Sequence, residues 1–137
     1  MARTVLVDAG FVIALLSKRD AHHGWAVTHA SEFPPPWCTC EAVLSEAFHL
    51  VGPAGVKGFG ELLRRQALLL AFSLKENMEP VLRLMEKYSD VPMSFADACL
   101  VRMTETLSEP VLLTTDRDFR LYRRHSRQVV PCIMPDS

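Results

Sequence analysis

The stretch Val111-Leu112-Leu113-Thr114-Thr115-Asp116-Arg117-Asp118-Phe119 joins a short apolar run to two hydroxyl side chains and two acids. A run this short, with side chains suited to packing on both faces, fits a buried strand of a parallel sheet. Asp116 falls where that strand should end. The N-terminus repeats the design, with Thr4-Val5-Leu6-Val7 running into Asp8. Ligands of open α/β sheets bind at the carboxyl ends of the strands, so Asp8 and Asp116 on parallel strands would share one crevice. A third acid, Asp97, lies in the opening turn of a helix that starts at Ser94-Phe95-Ala96-Asp97. It falls off that helix's core stripe of Ala96, Cys99, Leu100, Met103 and Leu107. Ser-x-x-Asp resembles a capping box, and the helix dipole favours an ionised acid there. A fourth, Glu46, borders the stripe Val43, Leu44, Ala47, Phe48 and Val51. An acid so placed is either solvated in a cleft or paired with a cation, or it is a surface Glu whose stem lies along the apolar edge. Asp118 is a fifth candidate, able to share or replace the role of Asp116.

Carboxylates brought together repel one another, so such a cluster calls for a cation between them or for protonation of some members. Oxygen ligands without an obvious His or Cys partner point to Mg²⁺ or Mn²⁺ rather than Zn²⁺. A divalent ion at such a crevice suits phosphoryl chemistry, because it activates water and offsets charge on phosphate oxygens.

The elements that must position these acids can be read in chain order. Strand one covers residues 3–7, Gly10 permits a turn, and Phe11 to Leu16 reads as a buried helix. Asp20 is placed as the N-cap of a second helix, with His22 and His23 as an ordinary surface pair rather than a shared metal site. Pro34-Pro35-Pro36 is a stiff connector, Trp37-Cys38-Thr39 a short strand, and a helix starts at Glu41. Gly52 to Gly55 should end that helix, and Gly58 and Gly60 should weaken the start of the next. Leu68 to Leu74 reads as a strand, and residues 77–88 as an amphipathic helix with Pro80 in its first turn. Gln128 to Ile133 reads as a last strand, broken at Pro131 and so at an edge. Strands alternating with helices predict a three-layer α/β/α domain around a central, mainly parallel sheet, with residues 1–137 as one domain.

Composition agrees with a globular chain of 137 residues, 49% apolar and 23% charged. A formal net charge of −1 excludes a general polyanion binder, so affinity for nucleic acid must be local. No apolar run approaches the roughly 20 residues needed to span a bilayer. Residues 9–16 have the look of a signal core, but Asp8 precedes them closely, and a cytoplasmic protein is expected. Cys38, Cys40, Cys99 and Cys132 lack zinc-ligand spacing and read as free buried thiols of a reducing compartment.

The ordered set Val5-Leu6-Val7-Asp8, Leu44-Ser45-Glu46, Ser94-Phe95-Ala96-Asp97-Ala98 and Leu113-Thr114-Thr115-Asp116-Arg117-Asp118-Phe119 resembles the PIN-domain ribonucleases. It is most similar to the VapC-type toxins of bacterial and archaeal toxin–antitoxin pairs. The segment Asp20-Ala21-His22-His23 is also similar to that family's second helix. The resemblance implies a metal-dependent ribonuclease specific for single-stranded RNA, usually a dimer, with a cognate antitoxin as candidate partner. It implies Asp8, Glu46, Asp97 and Asp116 as the metal-binding catalytic acids, with Thr114 helping to orient them. Arg117, Arg120, Arg123 and Arg124 follow directly and are candidates to hold RNA phosphates beside the acids, or else face water on an arginine-rich helix. Phe119 reads as core, and Tyr122 as a weaker candidate for base stacking.

Two other readings compete. A receiver- or phosphatase-like phosphotransfer domain would also carry an Asp at the end of strand one, but a receiver usually needs a late Lys, and none follows Lys87. A non-catalytic interaction module would use the same acids only as caps and surface charge.

Overall fold

The computed structural model describes residues 3–136. In chain order the elements are β1 (Thr4–Val7), α1 (Ala9–Leu16), α2 (His23–Glu32), β2 (Trp37–Thr39), α3 (Glu41–Leu50), α4 (Pro53–Arg64) and β3 (Leu68–Leu70). They continue with α5 (Leu74–Lys87), α6 (Phe95–Thr106), β4 (Pro110–Leu113), β5 (Arg123–Arg124), β6 (Gln128–Val129) and β7 (Cys132–Ile133). Five strands form one sheet in the order β3-β2-β1-β4-β7, every pairing parallel. This is the predicted three-layer α/β/α arrangement. Leu6, Val7, Leu112 and Leu113 are wholly buried, which is why β1 and β4 read as unbroken apolar runs without alternation.

The sheet order fixes the crevice. From β1 the chain steps outward to β2 and β3, then returns to the other side of β1 to form β4. The reversal lies between β1 and β4, where Val7 stands in register with Leu113. A crevice at the carboxyl end of this switch point is the usual ligand position of an open parallel sheet.

Several local expectations give way to tertiary context. Gly10 makes no turn; it sits in the first turn of α1, where a Cβ would overlap the Thr115 hydroxyl. Asp20 does not cap α2, because its carboxylate accepts the His22 N–H at 2.8 Å in a preceding turn and the helix starts at His23. His23 Nδ1 is bonded to the Ala14 carbonyl at 2.8 Å, so it holds α2 against α1. Helix α4 begins at once after α3, with Gly52 as N-cap and Pro53 in its first turn. Its glycines serve approach: Cβ atoms at Gly55 and Gly58 would press on the side chains of Val51 and Leu16. The Leu68 strand ends at Leu70, and α5 starts at Leu74, which moves Pro80 from the first turn into the helix interior. Pro131 splits the last strand outright: Gln128–Val129 pairs antiparallel with Arg123–Arg124, and Cys132–Ile133 joins the main sheet beside β4. The arginine-rich segment is therefore a short 3-10 turn (Arg117–Arg120) followed by a two-stranded ribbon, not a helix.

Candidate active site

Asp8 is the first residue past β1 and the N-cap of α1, its Oδ1 accepting the Phe11 N–H at 3.2 Å. Thr114 is its counterpart one position past β4. The buried Thr114 hydroxyl donates to Asp8 Oδ2 and accepts the Asp116 N–H at 2.9 Å, so one side chain ties both strand ends together. Asp116 in turn caps the following 3-10 turn, its Oδ1 accepting the Asp118 N–H at 2.9 Å. Asp97 enters from α6, where Ser94 is the N-cap and accepts the Asp97 N–H at 3.0 Å. The expected capping box is thus present. The expectation that Asp97 would lie off the packed face is corrected: α6 is buried on most sides, and Asp97 is only 8% exposed. The buried Tyr122 hydroxyl donates to Asp97 Oδ2 at 2.9 Å.

Burial dominates the electrostatics. It raises Asp8 from 3.8 to about 7, against the Thr114 and Phe11 hydrogen bonds that favour its ionised form, with Asp116 and then Asp97 adding repulsion. Burial likewise raises Asp97 to about 6, opposed by the Tyr122 hydrogen bond and reinforced by Asp116. The same contact holds the Tyr122 hydroxyl well above its ordinary value, after burial as the larger cause. Asp8, Asp97 and Asp116 therefore sense one another's charge, and among the described residues none of the three has a Lys, Arg or His ion-pair partner.

Glu46 stands apart from this trio. It is exposed on α3 and lines a groove with Ser45, His49, Phe95 and Ala96; its charge is not among those acting on Asp8 or Asp97. Ala96 precedes Asp97, so the groove abuts the crevice without merging with it. Asp118 is half-buried and gives its N–H to Asp116. Among the described residues, Arg117, Arg120, Arg123 and Arg124 form no ion pairs. Arg117 and Arg120 are exposed, Arg117 donating to the Asp136 carbonyl at 2.8 Å. Arg123 is spent locally on the Arg120 and Tyr122 carbonyls, and Arg124 packs beside His125.

The trio's chemistry fits a hard divalent cation: oxygen donors only, held by second contacts and lacking a countercharge from the protein. Among the described residues no three acidic, His or Cys side chains already converge on a shared ion position. Such spacing suits an ion that keeps several of its own waters.

Two contributors escaped sequence reasoning. Tyr122 is no stacking platform; it is fully buried between Tyr88 and Phe119, at ring-centroid distances of 5.2 Å from each, and it orients Asp97. The signal was available as Phe119 and Tyr122, three apart and apolar within an arginine-rich stretch. Gly10 lets the Thr115 side chain reach α1 beside Asp8, a close approach that only its missing Cβ allows.

Among curated proteins none matches the chain. The PIN domain family does, over residues 5–124, a span that runs from β1 through Thr114 and Asp116 to β5. That span is most of the chain, which therefore belongs to the PIN domain family, whose members are in general metal-dependent nucleases.

Proposed function

We propose that the protein is an endoribonuclease that hydrolyses phosphodiester bonds of single-stranded RNA with Mg²⁺ or Mn²⁺, and that it acts as a VapC-like toxin. The observation that carries this reading is the convergence of Asp8, Asp97 and Asp116 at the β1/β4 switch point with no protein cation to offset them. When bound, the ion supplies water activation and charge stabilisation at the phosphate. Thr114 holds Asp8, Tyr122 holds Asp97, and the Asp118 N–H holds Asp116, so all three carboxylates are aimed before substrate arrives. Glu46 acts from the adjoining groove, as a ligand through water or as the group that takes a proton from the attacking water. Arg117 and Arg120, exposed beside the strand end, bind phosphates, with Arg123 and Arg124 shaping the ribbon behind them. The order of the four acidic motifs supports the toxin role, and with it a cognate antitoxin and a homodimer.

Purified protein should cleave single-stranded RNA in Mg²⁺ or Mn²⁺ and not in EDTA, with double-stranded RNA and single-stranded DNA as comparison substrates. Asp8→Asn and Asp97→Asn should each retain the fold and lose roughly 10²-fold or more of the rate, as removal of a metal ligand requires. Cleavage that survives both EDTA and Asp8→Asn would overturn the reading.

A further inference from the structure

Away from the acids, α3 and α6 meet through two thiols. Cys40 follows β2 and occupies the N-cap position of α3, and Cys99 lies in the second turn of α6. Each is only 1% exposed, yet both line one solvent-connected cavity of about 610 Å³ together with Glu41, Lys75 and Phe95. The Cys99 thiol is hydrogen-bonded to the Cys40 sulfur. That bond, and behind it the Val43 and Ala42 N–H groups at the start of α3, hold the Cys40 thiol below its ordinary value against the opposing effect of burial. Cys38 and Cys132 differ in kind: burial pushes both thiols up, and Cys132 lies across the sheet in β7. All four cysteines are free.

We propose that Cys40 and Cys99 are a modification site, a thiol pair that a peroxide converts into a disulfide linking α3 to α6. A peroxide is close to water in size and can enter the cavity that the two sulfurs line. The Cys40 thiolate attacks one peroxide oxygen, the O–O bond breaks, and hydroxide leaves to become water on taking up a proton. The Cys99 sulfur then attacks the resulting sulfenic acid, loses its proton and expels a second hydroxide, which is protonated in turn. Two thiols and one hydrogen peroxide give one disulfide and two waters. The sulfurs must close from hydrogen-bonding to covalent separation, which pulls α6 toward α3. Asp97 lies two residues before Cys99 on the first turn of that helix. Resting on the proposed nuclease reading, the displacement should lower RNA cleavage at least tenfold, because misplacement by about 1 Å can cost on the order of 10²-fold.

The test is peptide mapping of the full chain after brief peroxide treatment and alkylation, beside a reduced control. The expected map shows a Cys40–Cys99 crosslink reversed by dithiothreitol, with Cys38 and Cys132 alkylated. In Cys99→Ser the Cys40 sulfur should stop at a sulfenic acid trapped by dimedone. Cys40 and Cys99 both alkylated after peroxide, or Cys40 joined to Cys38, would overturn the proposal. RNA cleavage is measured on the same samples: a crosslinked protein that cleaves at the reduced rate would overturn the effect on activity. If even the reduced protein cleaves no RNA, the nuclease reading fails, and the peptide map still decides whether this thiol pair forms a disulfide.

Discussion

Tyr122 and Asp97 form a contact whose removal can be read separately from its structural cost. Tyr122→Phe keeps the ring packed between Tyr88 and Phe119 and deletes only the hydroxyl on Asp97 Oδ2. That hydroxyl favours the ionised acid, so Asp97 should rise further from about 6 and the acid limb of the cleavage profile should move to higher pH. Stability should fall by about 1–3 kcal/mol; a pH profile identical to wild type would show that the hydroxyl does not tune Asp97. Asp8 and Asp97 also set a pH dependence of the fold in the absence of metal. Both have folded values, about 7 and about 6, above the unfolded 3.8, so the folded state keeps protons that the unfolded chain releases. Their contribution is fully present below pH 3.8 and is lost as pH rises through about 6 and then 7. Melting in EDTA from pH 4 to 8 should show that decline, and Asp8→Asn should flatten it between pH 6 and 7; an unchanged difference between the two proteins across the range would refute the shift on Asp8. The positions of Asp8 and Asp116 were legible from a local pattern, an apolar run ending in an acid. The burial of Asp97 was not, because it depends on α6 being packed on nearly every side, and spacing along one helix reveals only one face.

At the scale of elements, the sequence marked strands and helices well and their starts poorly, for reasons visible in single residues. Gly55 and Gly58 looked like helix weakeners, but they are the contact surface through which α4 reaches Val51 and Leu16. Tertiary packing outweighs a propensity penalty of about 1 kcal/mol per glycine. Pro80 looked like a first-turn proline because the apolar periodicity begins near Asn77; Leu74, packed against the core, starts the helix earlier. An interior proline cannot donate to the Glu76 carbonyl one turn back and crowds it. Pro80→Ala should therefore stabilise the protein by about 1–3 kcal/mol, less the unfolded-state entropy that proline removes. The melting temperature should rise by several degrees with RNA cleavage unchanged; a fall would mean that α5 needs the break. The arginine-rich segment misled for another reason. Its five arginines carry no strand pattern, and the β5–β6 ribbon turns through His125 and Ser126, both at positive φ (48° and 68°), a backbone choice that composition does not announce.

At the scale of the molecule, no helix among the described residues is long and apolar enough to cross a membrane. The largest apolar exposure on the segment running from Phe48 to Leu70 is at Leu50 (65%), Val56 (47%) and Leu70 (49%). Leu50 rims a groove of about 390 Å³ between α1 and α4. The homodimer proposed above should use this face: sedimentation at micromolar concentration should give a dimer, and Leu50→Asp with Val56→Asp should give a folded monomer. A wild-type monomer that cleaves RNA would rule the dimer out as a requirement. The crevice itself has a consequence in time rather than in space. The hydroxyl that fixes Asp8 belongs to a residue 106 positions later, and β1 gains its β4 neighbour only when Pro110–Leu113 exist. At about 5–20 residues per second, a nascent chain carries Asp8 for roughly 5–20 s before Thr114 and Asp116 are even polymerised. The acids cannot meet until translation is almost finished, so a ribosome making this protein handles an inert chain for nearly the whole of its synthesis.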